Sequence, residues 1–192
     1  MAGVSGPLSR QRPGAAARFL LGLAGGGLLA GLLVALAAWL LGTVVGALLP
    51  ASVRWPLLAA ICLVLGVADM IDRTPHVWRQ VPQALVRRLR PGVLGMAWGF
   101  DLGLLVTTQK TASLIWVALA AAVLVQPASA PVMVTVVAVL ASLSIAVASV
   151  GLAEDRILRL GREDAWRKRL RLGTGVVSLA LAVLATLQAV SA

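Results

Sequence analysis

Five long apolar runs, separated by short polar segments, constrain this chain more than any other feature. The runs cover residues 19–49, 57–72, 92–126, 132–152 and 172–190. Each is close to, or longer than, the roughly 20 residues that an α-helix needs to cross a bilayer. Because a segment in lipid must satisfy its own backbone polar groups, each run is expected to be helical. The sequence therefore predicts an all-α protein, a polytopic transmembrane helix bundle of about five spans.

The composition leaves no room for a separate soluble domain of ordinary size. Hydrophobic residues make up 60% of the 192 residues and charged residues only 12%, whereas about a quarter of the residues of a soluble domain are charged. We expect residues 1–18 to form a basic cytoplasmic tail and residues 19–192 to form a single membrane domain. The first apolar run is much longer than the roughly 7–15 apolar residues of a signal peptide, so we expect it to be retained as a span.

Basic residues are distributed unevenly around the predicted spans. If the N-terminus lies inside, the outer loops hold only Arg54, and Lys110 lies within the third run. The remaining basic residues all fall in inner segments: Arg10, Arg12, Arg18, Arg73, Arg79, Arg87, Arg88, Arg90, Arg156, Arg159, Arg162, Arg167, Lys168, Arg169 and Arg171. Since Lys and Arg near span ends are retained in the cytoplasm, this distribution predicts an N-in/C-out topology. The Arg-rich, Ala- and Gly-rich composition is typical of a GC-rich bacterial genome, and it favours the bacterial inner membrane.

The net charge of +10 is explained by these inner flanks without nucleic acid. Juxtamembrane basic clusters attract anionic lipid headgroups, and we expect such lipids, together with the bilayer, to be partners. Each large inner loop also places a Trp beside an Arg, at Trp78-Arg79 and Trp166-Arg167. This arrangement suits basic helices that lie in the inner interface and anchor there, or that dock a cytosolic partner.

Glycines recur at a spacing of four in two of the runs. They are Gly22, Gly26, Gly27, Gly31, Gly42 and Gly46 in the first run, and Gly95, Gly99 and Gly103 in the third. This spacing places each set on one face of a helix, where missing side chains allow another helix to approach closely. The pattern predicts tight packing between spans one and three.

The third run combines unusual length with unusual polarity. Its 35 residues would measure about 52 Å as a continuous helix, whereas the hydrocarbon core is about 30 Å thick. A single traversal agrees best with the basic residues that follow it, and we expect the helix to be irregular near its polar centre. The candidate polar site consists of Asp101, Thr107, Thr108, Gln109 and Lys110.

Two interpretations of this polar centre stay open. An ionisable side chain at mid-membrane costs at least about 2.5–3.5 kcal/mol, so it needs a partner or a water-filled cavity. Asp101 and Lys110 lie on opposite sides of a straight helix and cannot pair within it. In the structural interpretation, Asp101 reaches the inner headgroups and Lys110 reaches the surface through its long side chain. In the functional interpretation, a discontinuous helix presents these groups to a small solute or a proton.

Redox, metal and enzyme chemistry find little support in the sequence. Cys62 is the only cysteine, which rules out an intramolecular disulfide. Asp69, Asp72 and His76 would share a helix face, but Pro75 interrupts that helix and no fourth ligand is evident. We expect no metal and no cofactor. Without a nucleophile beside a base, a carboxylate pair or a nucleotide-binding loop, we expect the protein not to be an enzyme.

The stretch GMAWGFDLGLLVTTQKTASLIW, within residues 92–125, resembles a Gly-rich pattern found in small actinobacterial membrane proteins. More distantly it is similar to the CcdA/DsbD-like transmembrane domain of cytochrome c biogenesis. Where that domain is expected to have Pro-Cys, this chain has Thr107-Thr108. The resemblance implies at most a carrier-like architecture without thiol exchange. A repeat of Gly31-Leu32-Leu33-Val34 as Gly103-Leu104-Leu105-Val106 also raises the hypothesis of an internal duplication.

Two functions follow from these observations. The favoured one is an accessory or structural subunit of a membrane complex that serves transport, bound to other membrane subunits or to further copies of itself. The alternative is a stand-alone carrier for a small solute or a proton, which would use the polar centre of span three. A carrier would enclose its polar residues within this chain, whereas a subunit would present them or its glycine faces to another protein.

Overall fold

The computed structural model describes residues 13–75, 88–105, 113–151 and 160–191, and these residues are almost entirely helical. The helices are α1 (Pro13–Leu48), α2 (Ala51–Met70), α3 (Pro91–Gly103), α4 (Leu114–Leu124), α5 (Ala130–Gly151) and α6 (Leu160–Ser191), with a short 3-10 helix at Pro127–Ser129. No strand occurs in the described ranges. The prediction of an all-α helical bundle is confirmed.

Prolines set several of the helix boundaries. Pro50 separates α1 from α2 in an extended conformation (φ −67°, ψ 157°), and Pro91 is the first residue of α3. Proline has no N–H group to donate, and the first residues of a helix have no acceptor for one, so both positions are tolerated. Arg54 was expected in an outer loop between the first two apolar runs, but residues 51–56 form the beginning of α2, with Pro56 inside the helix.

Three of the described helices are long and apolar enough to cross a membrane: Gly14–Leu48, Ala51–Met70 and Lys168–Ser191. A fourth span is added if α4 and Pro127–Ala141, which meet at a bend of 120°, count as one. Only 22–28% of the residues in these apolar windows are buried within the protein. The remaining apolar surface requires lipid contact, because an aqueous surface of this composition would aggregate. The chain is a membrane protein, while five spans and the N-in/C-out topology stay predictions.

The third apolar run is not one helix. Helix α3 ends at Gly103, and Leu105 has a positive φ of 61°, which a leucine seldom adopts. Helix α4 begins at Leu114, after Ser113. Residues 104, 105 and 113 are therefore not helical, and the irregularity expected near Thr107 to Lys110 falls in residues 106–112, which lie outside the described residues.

The chain divides into two compact units, each with its own packing. The first unit takes its described residues from Met1–Val34, Val77–Thr108 and Met133–Gly161, and the second from Ala35–His76, Gln109–Val132 and Arg162–Ala192. Long helices contribute to both, so the units are not successive domains along the sequence.

Glycines bring α1 and α3 together in the first unit. A Cβ atom added at Gly95 would overlap the carbonyl oxygen of Phe19, and one added at Gly99 would overlap that of Leu23. At Gly103 the added atom would lie 2.6 Å from the carbonyl oxygen of Gly27. The partners advance together along both helices, which therefore run parallel. Side chains at these positions would force the backbones apart, so the contact depends on glycine.

Apolar side chains complete this contact. The core of the first unit consists of Phe19, Leu23, Leu94, Trp98 and Leu102. The rings of Phe19 and Trp98 meet edge to face, with centroids 5.9 Å apart, a favourable arrangement for aromatic pairs. The same unit holds Gly31, where an added Cβ would come within 2.7 Å of the Ala138 side chain.

The second unit is built around α2, which packs against α4 and α6. Its buried core consists of Leu58, Ala59, Cys62, Val117, Leu124, Ala182 and Ala185. Gly66 and Gly175 permit a close crossing, since a Cβ on either would lie 3.1 Å from the carbonyl oxygen of the other. Gly42 also packs tightly here, against Pro127, whereas an added Cβ at Gly46 would meet only Arg54, at 3.8 Å.

The basic segment before the fifth apolar run was expected to be an interfacial helix, but it is not a separate helix. Residues 160–171 form the first turns of α6, which continues without interruption to Ser191. No proline lies between Leu160 and Ser191 to end the helix. Trp166 is exposed within this segment. The segment that holds Trp78-Arg79 lies outside the described residues.

Candidate functional site

The predicted polar centre is only partly covered by the described residues. Asp101 is on α3 in the first unit, and its side chain is buried. Thr107, Thr108, Gln109 and Lys110 lie outside the described residues. The grouping of these five residues into one site therefore stays a prediction.

A polar site that the sequence did not predict lies in the second unit, around Asp69. This carboxylate has no solvent-exposed surface, although it is one residue from the end of α2. It accepts hydrogen bonds from the hydroxyl groups of Thr74 (2.7 Å), Ser113 (2.6 Å) and Thr174 (3.0 Å). The backbone N–H of Ser113 lies 3.1 Å from Oδ1 and 2.9 Å from Oδ2. We call Asp69, Thr74, Ser113 and Thr174 the Asp69 cluster.

The cluster lies where three segments meet, and each supplies a hydroxyl donor. Thr74 follows the end of α2, Ser113 precedes α4, and Thr174 belongs to α6. A carboxylate has about four lone-pair sites, and here both oxygens are occupied by neutral donors. Donors of this kind compensate the loss of hydration that burial imposes on a carboxylate.

Asp69 also caps α4. Ser113 occupies the N-cap position, and its own side chain makes no capping hydrogen bond to the helix. The backbone N–H groups at the start of a helix have no partner within the helix, and the helix dipole favours a negative charge there. The carboxylate from α2 supplies both an acceptor and that charge.

A positively charged side chain of α2 contacts the C-terminal end of α4. Arg54 donates through Nη1 to the carbonyl oxygen of Leu124, at 3.3 Å. The C-terminal end of a helix favours positive charge. Helix α2 therefore supplies an anion to the start of α4 and a cation to its end, which fixes the antiparallel orientation of the two helices.

Ion pairing occurs beside the Asp69 cluster rather than within it. Arg171 of α6 pairs with Asp72, whose side chain is 71% exposed. Asp72 has a positive φ of 61°, a conformation that Asp tolerates better than most residues. Arg73 is exposed, and the described part of α4 has no ionisable side chain.

Thr174 has two acceptors for one hydroxyl hydrogen. Its Oγ1 lies 3.0 Å from Asp69 Oδ2 and 2.9 Å from the carbonyl oxygen of Arg171. A threonine hydroxyl has a single hydrogen to donate. It therefore makes one full hydrogen bond at a time, either to Asp69 or to the Arg171 carbonyl oxygen. By contrast, the Ser113 hydroxyl donates to Asp69 and to no other described residue.

The cluster is too compact for a metal ion. Its hydroxyl oxygens lie 2.6–3.0 Å from the carboxylate oxygens, which are hydrogen-bond lengths with no space between the oxygens for a cation. No group of three or more His, Cys, Asp or Glu side chains able to hold a metal occurs in the described part of the chain. Asp69 and Asp72 have different partners, and His76 lies outside the described residues.

Two apolar depressions flank α2 in the second unit. The larger, of about 670 Å³, is an open groove between α2 and α4. We call it the α2–α4 groove, and it is lined by Ala60, Ile61, Val64, Leu65, Pro75, Trp116, Leu119, Ala120, Val123 and Leu124. Trp116 donates through its indole N–H to the carbonyl oxygen of Pro75, at 3.1 Å, at one end of the groove. The smaller, of about 230 Å³, includes Cys62 and Gln188.

No protein-family model, curated protein or solved structure matches this chain. The evidence for function therefore consists of the residues and contacts described above.

The sequence carries one weak signal for the Asp69 cluster, the Asp and Thr at the end of the second apolar run. Such an Asp indicates a buried carboxylate only when the residues that donate the other hydrogen bonds to it are known. Those donors lie 44 and 105 residues away along the chain. Only the packing of α4 and α6 against α2 brings them together.

Proposed function

We propose that this protein is a small membrane transport protein that provides its polar binding site from its own helices. The single observation that carries the proposal is the Asp69 cluster, in which a fully buried carboxylate of α2 faces the start of α4, a helix of 11 residues within the third apolar run. Discontinuous helices whose ends meet ionisable groups are a common way for carriers to bind solutes and coupling ions.

The glycine contacts support this proposal over the subunit hypothesis. Glycines that could have mediated assembly with another protein are occupied by contacts within the chain, at Gly95, Gly99 and Gly103 in the first unit and at Gly42 in the second. Asp101 is likewise buried within its own unit. A carrier requires that polar residues be enclosed by the chain itself, and both carboxylates meet that requirement. The transported species is a proton or a small solute, and the proposed location is the bacterial inner membrane.

The proposal is tested by flux into liposomes. Purified protein is reconstituted with an enclosed pH-sensitive dye, and a pH step is applied in the presence of a potassium ionophore to prevent charge build-up. We expect proton entry above that of protein-free liposomes, and we expect Asp69→Asn to abolish the excess. Thr186→Val is the matched control, because Thr186 is an exposed α6 residue whose hydroxyl donates to the Val183 carbonyl oxygen of its own helix. Equal rates in protein-containing and protein-free liposomes, for protons and for a panel of small solutes, would refute the proposal.

A second candidate, the accessory subunit, is favoured by the α2–α4 groove. An open apolar groove of about 670 Å³ provides enough surface for a helix of another membrane subunit to pack. Ala120→Trp would fill this groove, and the native mass of the protein, extracted with its own membrane lipids, would measure the effect. A complex whose mass is not a whole multiple of the chain mass, and which Ala120→Trp reduces, is the result expected of a subunit. A mass equal to one chain or a whole multiple contradicts it.

A further inference from the structure

We propose that the α2–α4 groove binds an acyl chain of an anionic phospholipid whose phosphate group is held by Arg73. Lipid binding at this site is separate from transport, and neither depends on the other. The observations that lead to it are the apolar lining of the groove, the fixed position of Arg73 near one end, and the charge at that end.

The lining of the groove suits a hydrocarbon chain. All of its lining residues are aliphatic apart from Pro75 and Trp116. The one polar side-chain group among them, the indole N–H of Trp116, donates to the Pro75 carbonyl oxygen. Along α4 the lining extends from Trp116 to Leu124, a distance of about 12 Å in a helix. An acyl chain can cover this surface without leaving a buried side-chain donor or acceptor unpaired.

Arg73 is held near the Pro75 end of the groove by contacts of its own backbone and of its neighbours. Its backbone N–H donates to a carbonyl oxygen in the last turn of α2, at 2.8 Å. The preceding residue, Asp72, pairs with an arginine of α6, and the following residue, Thr74, belongs to the Asp69 cluster. The Arg73 side chain is exposed. Because the backbone is already fixed, a ligand of this guanidinium group has little ordering of the chain to compensate.

The order of these residues along the membrane normal agrees with the shape of a phospholipid. Helix α2, one of the candidate spans, ends at Met70, so Arg73 follows the apolar segment and is expected at the level of the headgroups. Trp116 lies at this end of the groove, and tryptophan is enriched where hydrocarbon meets headgroups. The aliphatic part of the groove then lies beside the hydrocarbon, where the acyl chain would be.

The charged groups at this end of the second unit favour an anionic headgroup. Arg73, Lys168 and Arg169 are exposed, while Asp72 and Arg171 form an ion pair. A guanidinium group can bind phosphate oxygens through two parallel hydrogen bonds, and basic groups beside a membrane attract anionic lipids. A zwitterionic lipid would bring a cation of its own to this positive surface, so it should bind less tightly.

A lipid and a helix of another subunit differ in what they require from the site. Either could cover the apolar lining, but only the lipid gives a role to the arginine beside the groove. Dependence of binding on Arg73 and on the charge of the headgroup therefore distinguishes the two occupants.

Native mass spectrometry of the full-length protein tests the inference. Protein freed of lipid in a mild detergent is titrated with phosphatidylglycerol and, separately, with phosphatidylcholine that has the same acyl chains. We expect each chain to retain a single phosphatidylglycerol molecule at concentrations several-fold below those at which phosphatidylcholine binds.

Two pairs of variants locate the site. Arg73→Gln should remove the preference for phosphatidylglycerol, whereas Arg169→Gln, which removes the same charge from an exposed residue of α6, should leave it intact. Ala120→Trp fills the groove and should weaken the binding of phosphatidylglycerol several-fold. Val183→Trp, at an exposed position of α6, should not weaken it.

Fluorescence provides a test that does not require Ala120→Trp to fold. Phosphatidylglycerol with brominated acyl chains should quench the fluorescence of Trp116, measured as the quenching that is lost in Trp116→Phe. Equal binding of the two lipids by the wild type, or equal losses in Arg73→Gln and Arg169→Gln, overturns the inference. A co-purifying protein that Ala120→Trp releases, together with no preference between the lipids, would also overturn it and assign the groove to a second subunit. Absence of flux in liposomes contradicts the transport function alone.

Discussion

A buried carboxylate and a buried hydroxyl place different demands on the residues around them. Asp69 receives donors at both oxygens from three elements, whereas the Ser178 hydroxyl has no hydrogen-bond partner in the described part of the chain. An unsatisfied buried polar group costs about 1–3 kcal/mol, while a satisfied one contributes about 0.5–1.5 kcal/mol. Two buried polar side chains in the same unit thus change the free energy of unfolding in opposite directions.

Replacing Asp69 by Asn should lower the free energy of unfolding by about 2–3 kcal/mol. The amide nitrogen of Asn cannot accept a hydrogen bond, so a donor from Ser113 or Thr174 is left facing another donor. Thermal unfolding in one detergent provides the measurement. The control is Asp72→Asn, whose exposed ion pair with Arg171 contributes about 0–1 kcal/mol. Equal losses from the two variants would contradict the assignment of Asp69 as a satisfied buried anion.

Two hydroxyls on α6 give an opposing pair of expectations. Ser178→Ala removes a fully buried hydroxyl that has no partner among the described residues, and it should leave stability unchanged or raise it by up to about 1 kcal/mol. Thr174→Val removes a donor to Asp69 and should lower stability by about 1–3 kcal/mol. Melting temperatures measured side by side would check the pair, and a greater loss in Ser178→Ala than in Thr174→Val would show that Ser178 has a partner after all.

At the scale of elements, a contact could be predicted from the sequence when its residues repeat at a short spacing along the chain. The glycine spacing in spans one and three indicated a close contact, because a period of four repeats one helix face within a few turns. The Asp69 cluster has no such local period, since its donors come from the start of α4, from within α6 and from beyond the end of α2. Arg54 and Asp69, near the two ends of α2, match the dipole of α4. This match can be recognised only once the structure shows that the two helices are antiparallel.

The α1–α3 contact gives a prediction at this scale. Gly99→Ala places a methyl group against the backbone of Leu23, and the resulting overpacking should lower stability by about 1–3 kcal/mol. Gly25→Ala is the matched control on α1, because no atom lies within 4 Å of its added Cβ. Alanine there should leave stability unchanged or raise it by up to about 1 kcal/mol through its higher helix propensity. Thermal unfolding of both variants decides the matter, and indistinguishable losses would show that α1 and α3 do not pack through glycine.

At the scale of the whole molecule, the basic residues and the helices constrain the topology in different ways. The described residues contain three to four candidate spans, while the positions of the basic residues predict five with the N-terminus inside. An odd number of spans places the two ends of the chain on opposite sides of the membrane, and an even number places them on the same side. The location of the two ends therefore distinguishes an odd number of spans from an even number.

Single cysteines at the two ends make this prediction testable. Cys62 is the only cysteine and is buried, so Cys62→Ala gives a background without reactive thiols. In that background, Ser191→Cys should react with a membrane-impermeant maleimide added to intact cells, because the C-terminus is expected outside. Ser5→Cys should react only after the membrane is permeabilised, because the inner basic flanks hold the N-terminus in the cytoplasm. Labelling of both cysteines in intact cells, or of neither, would require an even number of spans. The opposite pattern would keep an odd number but invert the orientation, and the basic flanks would then lie outside.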